Sequence, residues 1–65
     1  MNLVLVTMGV PGLGTVKIIH DLDNEHSREA MKLNESNKCC IYSIKPISLE
    51  EVDLFLQDSR IVDSR

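Results

Sequence analysis

The chain has 65 residues, 43% hydrophobic and 26% charged, with a net charge of −3. Such a composition excludes a disordered tail and describes one small globular domain, residues 1–65. A chain this short buries only about 60% of its unfolded surface, and its core rarely supplies more than roughly 3–5 kcal/mol without a staple or a partner. The seven basic residues are spread from Lys17 to Arg65 and form no stripe for counterion release, so no nucleic acid is expected as a partner.

Leu3-Val4-Leu5-Val6 and Met8 form an apolar run without alternation, which predicts a strand buried on both faces. The run is far shorter than the ~20 residues of a membrane helix. It follows no basic segment and precedes no cleavage motif, so the expectation is a cytoplasmic protein (host cytoplasm if viral) with no membrane partner.

Next comes Gly9-Val10-Pro11-Gly12-Leu13-Gly14. Its glycine frame after a strand resembles the first, phosphate-binding loop of nucleoside and polynucleotide kinases, which carries G-x-P-G-x-G. That resemblance covers about a dozen residues and implies nucleotide binding. It fails at the chemistry: Thr15 stands in the lysine position and Val16 in the Ser/Thr position, while Lys17 is displaced by two. Val16, Ile18 and Ile19 are β-branched and favour a second strand over the helix such a loop needs. The loop therefore reads as a six-residue hairpin connection, with Val10 and Leu13 at its tip as candidate partner contacts.

In the second strand Val16, Ile18, His20 and Leu22 share one face, and Lys17, Ile19 and Asp21 the other. His20 is expected at the core boundary with a hydrogen-bond partner. Asp23 or Asn24 caps a short helix over 25–35, leaving His26 exposed in its first turn and Asn34 or Asn37 as the exit. "CCIYSIKPI" predicts a third strand ended by Pro46. Ser48 and Glu51 make a capping box, and Leu49, Val52, Phe55 and Leu56 share the inner face of the helix that follows. Leu54 points outward. Ile61 either continues the helix beside Leu54 or belongs to a short extended tail.

The order β-β-α-β-α gives a small α+β fold: a three-stranded, mainly antiparallel sheet of order 2-1-3 with two helices on one face. The first strand would then be apolar on a face that no helix covers, which predicts a homodimer or larger oligomer.

No catalytic, metal or cofactor site emerges. His20, His26, Cys39 and Cys40 lack zinc spacing, and adjacent cysteines on a strand diverge. An EF-hand frame started at Asp21 puts His26 at the glycine position and Lys32 at the final glutamate. Asp21, Asp23, Glu25 and Glu50, Glu51, Asp53 read as helix-start charges. The expectation is a non-enzymatic protein-binding regulator or inhibitor, antitoxin-like or of the phage type, contacting another protein through Val10, Leu13, Leu54 and Ile61. The alternatives are a degenerate nucleotide binder without catalysis and a structural subunit of a larger assembly.

Overall fold

The computed structural model describes all residues, Met1–Arg65. Its elements are β1 (Leu3–Val10), β2 (Gly14–Asp21), α1 (Glu25–Ser36), β3 (Cys40–Pro46), α2 (Leu49–Leu56) and β4 (Ile61–Asp63). The sheet has four strands in the order β3-β1-β2-β4. β1 is antiparallel to both neighbours, and β4 is parallel to β2.

The α+β class and the central place of β1 agree with the sequence reading; three details differ. The hairpin loop is three residues long, since Gly9 and Val10 belong to β1 and Gly14 to β2. Leu13 N–H donates to the Val10 carbonyl at 3.0 Å, and Gly12 has φ +85°, a type II turn with Pro11 at its first central position. The second difference is β4. Helix α2 stops at Leu56 because Asp58 turns the chain: its carboxylate accepts from the Arg60 N–H at 3.0 Å and from the guanidinium. The extended tail is thus the form adopted, and it pairs through Lys17↔Ile61, Ile18↔Val62 and Ile19↔Asp63.

The third difference follows from the second. The helices lie on opposite faces of the sheet, not on one. Leu3, Leu5 and Ile19 pack with Ile47 and Val52, joined by Phe55 and Leu56 of α2. Val4, Val6 and Met8 pack on the other side, joined by Met31 of α1. The β2–α1–β3 crossover passes β1 in one direction, and β3–α2–β4 passes back in the other. Right-handed crossovers running in opposite directions must use opposite faces. β1 is therefore covered on both sides, and the open apolar face that motivated self-association does not exist.

Local chemistry places the ends of the helices. The Asn24 side chain caps α1 by accepting from the His26 N–H at 2.9 Å. At its exit the Cys39 N–H donates to the Asn34 carbonyl and the Lys38 N–H to the Glu35 carbonyl, a Schellman motif. The left-handed residue is Lys38, φ +65°, not an asparagine. The Ser48–Glu51 capping box of α2 is formed in both directions, at 3.2 and 3.1 Å.

Two polar side chains are buried, His20 and Ser27. Ser27 accepts from the Asp21 N–H at 3.4 Å and donates to the Ser64 carbonyl at 3.1 Å. His20 lies deeper than a boundary residue, because Val4 is its cross-strand partner on the face that α1 covers. Neither ring nitrogen makes a hydrogen bond of good geometry. Burial holds its pKa below 6.5, opposed in part by the nearby Ser64 backbone.

Candidate binding surface

The strand register sorts the sheet into rows. On the α1 face, Ile44, Val6, Ile18 and Val62 stand in one row across all four strands. Val6 at the centre is fully buried, while Ile44 and Val62 at the ends are 46% and 51% exposed. On the α2 face, the row Lys45–Leu5–Ile19–Asp63 has its central pair, Leu5 and Ile19, buried in the core, whereas the row Ser43–Thr7–Lys17–Ile61 is polar in its first three positions. The next row, Cys40–Gly9–Thr15, offers a thiol, bare backbone and a hydroxyl. Half of the α2 face is therefore an open, hydroxyl-lined floor.

A β-bulge shapes its edge. Thr7 pairs with Ser43 and Met8 with Ile41, so Tyr42 is the extra residue of β3. Its hydroxyl swings over Gly9, where a Cβ would collide with it. Two shallow hollows adjoin on this floor and share Thr15. One, of about 290 Å³, is lined by Gly9, Thr15, Lys38 and Tyr42 together with the hairpin loop. The other, of about 380 Å³, lies between the start of β2 and Lys17, Asp58 and Arg60. The Arg60 guanidinium, bonded at 2.9 Å, and the Arg60 N–H hold the Asp58 carboxyl down to about 2. Lys17 and Lys38 make no ion pair within 4 Å.

The structure does not gather the four expected contact residues. Leu13 stands at the hairpin tip, 77% exposed, and Leu54 on the outer side of α2, 66% exposed. Val10 packs against the α1-side core and Ile61 against the α2-side core. Tyr42, Ile44 and Lys38 escaped the sequence reading. Tyr42 and Ile44 look like ordinary strand residues until the bulge that turns Tyr42 over Gly9 and the exposure of Ile44 are known, and Lys38 follows the asparagine expected to take the left-handed turn.

The other candidate chemistry is dispersed. Cys39 is half-buried, Cys40 is exposed, and both are free thiols. No group of three or more His, Cys, Asp or Glu side chains is placed to hold a metal ion. The Asp21 carboxylate is occupied by the N–H groups of Asn2 and Asp23, which lower its pKa. No helix is long and apolar enough to cross a membrane.

The fold is a four-stranded mixed sheet with one helix on each face. No protein-family model, curated protein or solved structure matches the chain.

Proposed function

We propose that the chain is a non-enzymatic protein-binding module, a small regulator or inhibitor, whose contact is made by strand addition at the β3 edge. The observation that supports this reading is the exposure of β3: six of its seven residues are exposed, Ile41 alone being half-buried. An edge strand offers a row of N–H and C=O groups to an incoming strand, and its alternate side chains supply specificity. Tyr42 and Ile44 give this edge apolar anchors of 63% and 46% exposure. The bulge at one end and Pro46 at the other limit the register to a few residues.

Self-association rests on the same edge. A second copy added antiparallel about Ile44 would set the two Ile44 side chains opposite each other on the α1 face. Sedimentation velocity at micromolar concentration tests this: the chain should sediment as a dimer and Ile44→Lys as a monomer. A parent chain that stays monomeric removes the self-pairing, and an Ile44→Lys variant that still dimerises removes the edge.

A further inference from the structure

We propose that the hairpin end of the α2 face binds a small phosphate-bearing anion, between Lys38, Thr15 and Tyr42. The site adjoins the protein-binding edge and shares Tyr42 with it, while Lys38, Thr15 and Gly9 lie off that edge.

Charge is the first argument. The chain carries ten acids and a net charge of −3, yet only Asp58 lines either hollow. That one carboxylate is neutralised by Arg60. Lys38 lines the first hollow without an acidic partner, whereas Lys17 lines the second, where it makes no ion pair within 4 Å but stands near enough to Asp58 to help lower its pKa. An otherwise acidic molecule thus keeps, at the hairpin end of its polar floor, a lysine without an acidic partner, in a hollow lined also by Thr15 and Tyr42.

The second argument is the backbone of Lys38. It occupies the left-handed position of the α1 exit, where glycine is the residue without strain. A lysine there costs stability, and it stands in the lining of the hollow that holds Gly9, Thr15 and Tyr42. Strain held at a concave polar site is a pointer to function.

The donor set selects the anion. The one arginine here is already bonded to Asp58, so no bidentate guanidinium fork is free for the anion. Free lysines act as point charges and hydroxyls add single donors, a set suited to phosphate oxygens. A nucleic-acid strand would need the positive charge to continue, and only Lys17 and Lys38 supply lysine charge to the floor.

Titration of the labelled protein with sodium pyrophosphate at fixed ionic strength, followed by amide NMR shifts, tests the site. Saturable shifts are expected at Gly9, Thr15, Lys38 and Tyr42. Lys38→Gly should weaken binding roughly tenfold while raising the melting temperature, which separates loss of the site from loss of the fold. Gly9→Ala should displace the Tyr42 ring and weaken binding with the fold retained. The proposal is overturned by non-saturating shifts shared with Arg28, Lys32 and Arg65, by acetate binding equally well, or by an unaffected Lys38→Gly variant. It is also overturned by a short oligothymidylate binding more tightly than pyrophosphate, which would make the floor a single-strand surface.

Discussion

The Ser27 hydroxyl donates to the Ser64 carbonyl at 3.1 Å, joining α1 to the chain just beyond β4 across 37 residues of sequence. Ser64 in turn donates its N–H to the Ile19 carbonyl at 2.9 Å, extending the β2–β4 ladder by one bond. One buried hydroxyl therefore fixes the last strand against both the helix and the sheet. Ser27→Ala should cost about 1 kcal/mol, read from denaturant midpoints. Amide exchange should accelerate more at Ser64 than at Val6; equal acceleration at both would mean that the bond does not hold β4 locally.

The buried imidazole sets a pH dependence. His20 has a folded pKa below the ordinary 6.5, so the unfolded chain takes up a proton that the folded chain refuses. Its contribution is complete above pH 6.5 and is lost as pH falls from there toward the folded pKa. The carboxylates of Asp21, Asp58 and Asp63, all lowered from 3.8, act in a separate and more acidic window. Chemical denaturation between about pH 8 and about pH 5 should show declining stability. His20→Leu should flatten that decline and add about 1 kcal/mol near neutral pH, because two unpartnered buried nitrogens are removed. Parallel slopes in the two proteins would show that His20 is not the group responsible.

Lys38 tests the helix exit by itself. Replacement by glycine relieves the left-handed strain and should stabilise the fold by about 0.5–1 kcal/mol, net of the entropy glycine adds to the unfolded chain. Lys38→Ala keeps the strain and should not stabilise. A gain of the same size in both variants would locate the effect in the lysine side chain instead of the backbone.

Val52 and Leu54 are two residues apart on α2 and opposite in consequence. Val52 is fully buried against the sheet, and its truncation to alanine should cost about 2 kcal/mol. Leu54→Asp should change stability by less than about 0.5 kcal/mol, since its side chain faces away from the core. Circular-dichroism melts of the pair decide this. Unfolding of Leu54→Asp would mean that Leu54 carries core packing after all.

The long-patterned elements were legible in the residues. The unbroken apolar run of β1, the alternation of β2, the Ser48–Glu51 box and Pro46 each announce a boundary by local chemistry. Strand β4 did not, because Ile61-Val62-Asp63 is too short to show a period and its stability comes from pairing with Lys17–Ile19, far away in sequence. Losing β4 from the reading also loses the return crossover, and with it the division of the helices between the two faces. The candidate site was half visible. The glycines and Val10–Leu13 marked the hairpin, but Lys38 and Tyr42 reach it through a helix exit and a bulge that only the tertiary register reveals.

The type II turn at Pro11–Gly12 has a kinetic consequence. The β1–β2 hairpin closes over three residues, a microsecond-scale event in isolated peptides. By contrast, Gly9 and Cys40 of the β1–β3 ladder meet only after the intervening hairpin and helix have closed a long loop. The return of β3 to a preformed hairpin is the encounter expected to limit folding. Folding speed should therefore follow substitutions in the turn, in β1 and in β3, whereas substitutions in β4 should chiefly alter the rate of unfolding.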